Sequence, residues 1–204
     1  MTDTQKKPLW KNELVWLFLI TSGLFAILYS KFILGGYAYV FTDTGADTMQ
    51  INYAQYGLFS SLFRSGESGY VLQAGLGMDV SSYYPAYLIP YNLLILLAPQ
   101  RLLPWAVLAS AYLKMITISL VGYLFYRKLM QDGIGTMAAA LAWTFSGYVI
   151  LWGQHYGFCT CMALFTVFMY FLQCYLNGEQ RWKSAGLVIT VTMLLISSYY
   201  CLLY

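Results

Sequence analysis

Apolar stretches near the length of a membrane-spanning helix constrain this chain more than any other feature of its sequence. A transmembrane helix needs roughly 20 mainly apolar residues. Stretches that approach this length predict spans at 14–35, 104–126, 134–152, 158–176 and 184–204. The fold class we expect is an all-α integral membrane protein, built as a multi-pass helical bundle.

The composition agrees with this class and excludes another. Only 9% of the 204 residues are charged and 60% are hydrophobic, whereas soluble domains carry about 25% charged residues. The formal net charge is +3. Its basic residues stand singly or in pairs at the ends of the predicted spans, which is not the basic patch of a nucleic-acid-binding protein. We therefore expect the lipid bilayer as a partner and no nucleic acid.

Three segments flank or interrupt the predicted spans. The polar N-terminus is followed by an apolar run too long for a signal-peptide core, so we expect that run to remain as an anchor. The stretch 86–98 is short for a span and contains Pro90, which favours a re-entrant or interfacial piece. The last stretch stays apolar up to Tyr204 without a polar flank. We expect residues 1–204 to be the N-terminal part of a longer transmembrane domain.

Positive charges in the short loops predict the orientation. If the spans alternate, three basic groups fall on one side of the membrane, and the opposite hairpin at 153–157 carries no lysine or arginine. We therefore predict a membrane protein with a cytoplasmic N-terminus and an extracytoplasmic loop at 36–85. The three basic groups are Lys6, Lys7 and Lys11; Arg127 and Lys128; and Arg181 and Lys183.

The outer loop 36–85 has two parts. Residues 48–63 mix polar and apolar side chains, which predicts a helix lying on the membrane surface. The rest is rich in Gly, Ser and Tyr, with turn signals at its glycines. The loop is too short and too polar to form a packed domain, so we expect it to dock on the spans.

Asp43 and Asp47 are the first candidates for chemistry, because acidic residues at the end of a span often mark a site open to one side. A carboxylate there can act as a general base or bind a cation. Asp47 and Gln50 also form the Asp-x-x-Gln pattern of a capping box ahead of a helix. The two roles of Asp47 are compatible, since a cap also fixes its side chain.

Lys114 is the second candidate, about ten residues into the span at 104–126. A lysine at the centre of a span costs roughly 3 kcal/mol on insertion scales. Either it faces the interior of the bundle, with a carboxylate or an anionic head group as partner, or it snorkels outward. Arg64 and Arg101 are isolated cations on the outer side.

The remaining candidates carry weaker signals. The glycine-rich segment 75–79 ends in Asp79 and could surround a ligand, although a simple turn explains it as well. His155 lies in the short outer hairpin. It could shuttle a proton or bind phosphate, and an ordinary solvated loop histidine is the alternative.

Several short blocks, scattered over most of the chain, share their residues with one family. The chain resembles the YfhO family of bacterial multi-pass membrane proteins. The matching blocks are FTDTGADTMQ (41–50), LQAGLGMD (72–79), SYYPAYLIPYNLLILL (82–97), LKMITISLVGYLFY (113–126) and FSGYVILWGQHYG (145–157).

The resemblance implies a glycosyltransferase of the C-type membrane fold. Such an enzyme takes a sugar from a polyprenyl-phosphate donor and acts on the extracytoplasmic face, with a cell-wall glycopolymer such as lipoteichoic acid as acceptor. By position, it implies Asp47 as the first and Asp43 as the second catalytic carboxylate. The pattern is Asp-x-x-x-Asp, not the adjacent acidic pair common in other C-type enzymes, so a divalent cation at Asp43 and Asp47 stays open.

The implied mechanism is single displacement, with the sugar passing directly to an acceptor hydroxyl. The leaving phosphate then needs positive charge near the membrane surface, for which Lys114, Arg64 and Arg101 are the candidates. The implied substrate contacts are Gln50, Lys114, Asp79, His155 and Arg64.

Two other functions share this topology. One is a flippase or transporter of lipid-linked sugars, and the other is a polymerase or ligase of surface polysaccharide. A transporter is expected to show matching broken spans in its two halves. One Pro-containing short segment and a large outer loop favour an outward-facing enzyme instead.

Overall fold

The computed structural model describes residues 12–41, 48–67, 69–72, 77–81, 88–130, 132–179 and 181–197, the last range without the Arg181 side chain. Within these ranges the chain is almost entirely helical. The α-helices are α1 (Glu13–Leu28), α2 (Ser30–Leu34), α3 (Ala54–Ser65), α4 (Pro90–Leu97), α5 (Leu103–Leu129), α6 (Gly133–Thr144), α7 (Gly147–Trp152), α8 (Tyr156–Leu176) and α9 (Arg181–Ser197).

The all-α class is confirmed, and three of the predicted spans coincide with long apolar helical segments. In the described ranges, three helical segments are long and apolar enough to cross a membrane: Gln100–Leu129, Gly133–Trp152 and Tyr156–Leu176. Helices α1 and α9 are apolar but shorter. The predicted end of the fifth span, 198–204, lies outside the described residues.

The predicted span 14–35 is divided into two helices, α1 and α2. Helix α1 has 16 residues, or about 24 Å, against a hydrocarbon core of about 30 Å. It ends at Tyr29, whose ring stacks on Phe25 with 4.3 Å between the ring centroids. Tyr39 packs edge-on against Tyr29 at 5.3 Å. Helix α1 therefore ends where the ring of Tyr29 packs against Tyr39, in the segment that follows α2.

The predicted span 134–152 is also interrupted. Helix α6 ends at Thr144, and Ser146 adopts an extended backbone with φ −61° and ψ 154° before α7 begins. Serine and glycine have low helix propensity, and Ser146 is followed by Gly147. The discontinuity lies within a segment that is apolar enough to span.

Helix α5 is the centre of the bundle, and α1 runs antiparallel to it. The hydroxyls of Thr21 and Ser119 share a buried hydrogen bond of 2.7 Å. One residue further along α1, Ser22 and Tyr112 share another at 2.8 Å. Paired hydroxyls satisfy each other where water is excluded, so these contacts fix the packing of α1 on α5.

Helix α8 runs parallel to α5, because α6 and α7 return the chain between them. At one end, which we call the basic end, Lys128 and Lys183 both pair with Glu179. Hydrogen bonds from Lys128 and then Lys183 lower the pKa of Glu179 to about 2. The Glu13 carboxylate at the start of α1 accepts from Tyr123 at the same end. Described residues from all three predicted cytoplasmic segments therefore meet at one end of the bundle.

The opposite end, which we call the loop end, carries the outer segments. A π-helical turn at Thr48–Tyr53 leads into α3, which confirms the predicted helix at 48–63. Helix α3 docks on α4, where the Tyr56 hydroxyl donates to the Asn92 side chain at 3.3 Å. The Ser60 hydroxyl donates to the Ala98 carbonyl at 2.7 Å. The expectation that this loop docks on the helices is confirmed for these residues.

The structure contains a small hairpin after residue 63, where the sequence predicts only turns. Tyr70–Val71 pairs antiparallel with Met78–Asp79. Gly77 has a φ of +108°, and the Tyr70 ring lies directly over it. A side chain at position 77 would clash with that ring, so glycine is required there.

Candidate functional site

Tyr156, the first residue of α8, joins the outer segments to the bundle. Its hydroxyl donates to the Tyr39 carbonyl at 2.5 Å, and its ring stacks on Tyr56 with 5.4 Å between centroids. Its own carbonyl accepts from the Lys114 ammonium at 3.2 Å. One residue therefore contacts the segment after α2, helix α3 and helix α5.

Lys114 is buried in the bundle, with 2% of its surface exposed. The predicted interior position is confirmed, and the outward-snorkelling alternative is wrong. An ammonium has three donors, and among the described residues the Tyr156 carbonyl is its hydrogen-bond acceptor. No carboxylate pairs with Lys114 in the described part of the chain. A buried cation with so few acceptors is expensive to keep.

Thr48 fixes the start of the π-helical turn against the 153–155 hairpin. Its side chain is fully buried, and its hydroxyl donates to the Gln154 carbonyl at 3.2 Å. Thr48 directly follows Asp47 in the sequence. Asp43 and Asp47, the predicted catalytic and metal-binding carboxylates, lie outside the described residues. Gln50, in the same turn, is exposed.

His155 lies in the hairpin, partly exposed. Its ring lies 5.6 Å from that of Trp152 and 5.8 Å from that of Phe158. Its backbone N–H donates to the Trp152 carbonyl at 3.0 Å. His155 is held beside Tyr156 at the start of α8.

Asp79 forms a local turn at the end of the hairpin. Its carboxylate accepts from the Ser81 hydroxyl at 2.6 Å and from the Ser81 backbone N–H at 3.0 Å. These bonds lower the pKa of Asp79. These contacts agree with the interpretation of Asp79 as part of a simple turn.

Arg64 lies at the exposed C-terminal end of α3. Its Nε donates back to the Ser60 carbonyl at 3.2 Å. No described contact joins Arg64, Asp79 or Gln50 to Lys114. His155 precedes Tyr156, the residue whose carbonyl accepts from Lys114.

The site favours recognition of an anion. Lys114 contributes a buried positive charge, and burial raises the pKa of Tyr39 so that its phenol stays neutral. Within the described ranges, no group of three or more His, Cys, Asp or Glu side chains could hold a metal ion. Since an ammonium donates and never accepts, its remaining donors can be satisfied by acceptor oxygens, and negatively charged ones would also balance its charge.

No family model, curated protein or solved structure matches this chain. The resemblance to the YfhO family therefore remains a prediction that rests on the short sequence blocks.

The sequence gives little sign of Tyr156 and Thr48. Tyr156 is one of 20 tyrosines, and its role depends on three contacts with distant segments. The sequence predicts Thr48 only as the first residue of a helix. The buried lysine, in contrast, stands out because a charge inside an apolar run is rare.

Proposed function

We propose that this chain is part of a multi-pass bacterial plasma-membrane glycosyltransferase of the C-type fold. It transfers a sugar from a polyprenyl-phosphate donor to an extracytoplasmic cell-wall glycopolymer such as lipoteichoic acid. Asp47 is the general base, and Asp43 positions a divalent cation or the acceptor. Lys114 faces the donor phosphate.

One observation carries this proposal. A lysine is buried in an apolar helical bundle without a described carboxylate partner, and it lies against Tyr156 at the loop end. The residue after Asp47 is bonded to the hairpin that ends at Tyr156. An anion site inside the bundle, together with a carboxylate that directly precedes Thr48 in the sequence, supplies the groups that transfer from a lipid phosphate needs.

The proposed reaction is a single displacement. An acceptor hydroxyl enters from the loop end, and Asp47 removes its proton. The hydroxyl oxygen forms a bond to the anomeric carbon as the bond from that carbon to the phosphate oxygen breaks. The phosphate leaves with the electron pair, and the positive charge of Lys114 stabilises it.

Sugar transfer in isolated membranes tests the proposal. Membranes from a strain lacking the gene, with and without the plasmid-borne protein, are given polyprenyl-phosphate-linked radiolabelled sugars and lipoteichoic acid. Labelled polymer is expected only in membranes that contain the protein. Movement of the lipid-linked sugar across sealed vesicles without any transfer would instead identify a flippase.

The orientation can be tested independently of the reaction. We expect a cysteine at Leu72, which is 73% exposed in the loop-end hairpin, to react with a membrane-impermeant maleimide in intact cells. A cysteine at Asn177, exposed at the basic end, is expected to react only after permeabilisation. The unsubstituted protein is the control for labelling of its own four cysteines, of which the free Cys159 and Cys174 are buried. The reverse labelling pattern would place the acidic segment in the cytoplasm and exclude the proposed site.

A further inference from the structure

A second buried polar group lies one helical turn from Lys114. Ser110 is 1% exposed, and its hydroxyl has no hydrogen-bond partner in the described part of the chain. Ser110 and Lys114 are four residues apart in α5, so their β-carbons lie on one face about 5–6 Å apart. Two incompletely satisfied polar side chains therefore share one buried face of the central helix.

The missing bond of Ser110 is unusual for a hydroxyl in an apolar helix. Such hydroxyls commonly bond the carbonyl four residues earlier. Thr117 does so at 2.9 Å and Thr144 at 2.7 Å. Ser119, in the same helix as Ser110, pairs instead with Thr21. The Ser110 hydroxyl bonds neither the carbonyl four residues earlier nor another hydroxyl. Its proton can therefore be donated to another acceptor.

Lys114 and Ser110 lie in successive turns of α5. Long side chains in a helix lean toward its N-terminus, and the N-terminus of α5 lies at the loop end. The Tyr156 carbonyl holds the ammonium there. About three helical turns of α5 precede Lys114. Ser110 and Lys114 therefore lie in the half of α5 that is nearer to the loop end.

The chemistry of the pair selects an oxyanion. The ammonium repels cations, and the ammonium and hydroxyl together supply several donors. A phosphate group offers several charged acceptor oxygens, and a hydrogen bond to a charged oxygen is stronger than one between neutral groups. The pair can therefore bind two oxygens of one phosphate.

We infer that Ser110 is a second phosphate ligand, whose hydroxyl donates to an oxygen that the Lys114 ammonium neutralises. The inference rests on the proposed function in taking this phosphate from a lipid-linked donor. Free phosphate presents the same oxygens, and the prenyl chain distinguishes the two sources.

Binding measurements on the purified protein in detergent test the inference. The probes are farnesyl phosphate and inorganic phosphate. We expect Ser110→Ala to weaken farnesyl phosphate binding by about tenfold or more, as loss of a hydrogen bond to a charged group does. Its melting temperature without probe is expected to stay at the wild-type value or rise, because an unpaired buried hydroxyl is removed.

Ser119→Ala is the matched control, a buried serine of the same helix that already has a partner. It is expected to lower the melting temperature and leave the affinity unchanged. Wild-type affinity in Ser110→Ala, or no binding of either probe by the wild type, would overturn the inference. Equal affinity for both probes would overturn the lipid source. Serine-dependent binding of farnesyl phosphate without sugar transfer in membranes would reject the proposed reaction and keep the phosphate site.

Discussion

Replacing Asp47 with asparagine is expected to lower sugar transfer by about a hundredfold or more, with the amount of protein in the membrane unchanged. Asparagine caps a helix about as well as aspartate, but it cannot accept a proton from the acceptor hydroxyl. The measurement is labelled polymer per unit of protein in the membranes described above.

Asp47→Ala separates the base from the helix cap. If Asp47 only caps, alanine destabilises the helix start by roughly 1 kcal/mol, and the asparagine variant keeps wild-type turnover. If Asp47 is the base, both variants lose turnover to a similar extent. An active asparagine variant would exclude Asp47 as the base and make Asp43 the next carboxylate to test.

Lys114→Met is expected to reduce transfer at low donor concentration by about tenfold or more, because the donor phosphate loses the positive charge that attracts it. The melting temperature is expected to be unchanged or higher, since methionine fills a similar space without a buried charge. This combination distinguishes a binding residue from a structural one, whose loss lowers both activity and stability. Lys114→Arg keeps the charge, so it is expected to be milder.

Lys31→Met is the control for this variant. Lys31 is an exposed lysine of α2, and its replacement changes the net charge by the same amount. It is expected to transfer sugar like the wild type. Normal donor dependence in Lys114→Met would show that the ammonium does not face the phosphate.

The sequence alone predicts the long helices, because their apolar composition is enough to identify them. The long apolar runs of α5 and α8 predict helices of membrane-spanning length, whereas the sequence leaves open whether Lys114 is buried or snorkels outward. The meeting of Lys128 and Lys183 at one end follows from alternating spans. These features depend on local hydropathy, which is read directly from the residues.

The helix interruptions and the contacts of the site could not be predicted in this way. Tyr29 lies inside an apolar run, so hydropathy does not mark the end of α1. The break after α6 falls at Ser146 and Gly147, which differ from their neighbours in helix propensity and not in a long loss of hydropathy. The contacts of Tyr156 join segments more than 40 residues apart for Lys114 and more than 100 for Tyr39. Of the geometry of the site, only the four-residue spacing of Ser110 and Lys114 on one helix can be read from the sequence.

Tyr156 also connects the segment after α2 to the buried cation. The same residue holds the chain after α2 through its hydroxyl and faces the ammonium through its carbonyl. Because covalent bonds fix the distance between these two groups to within the freedom of one side chain, a displacement of Tyr39 is transmitted to the environment of Lys114. If the proposed donor binds at Lys114, its binding and a rearrangement around Tyr39 are therefore expected to influence each other's free energy, and by linkage this influence is reciprocal.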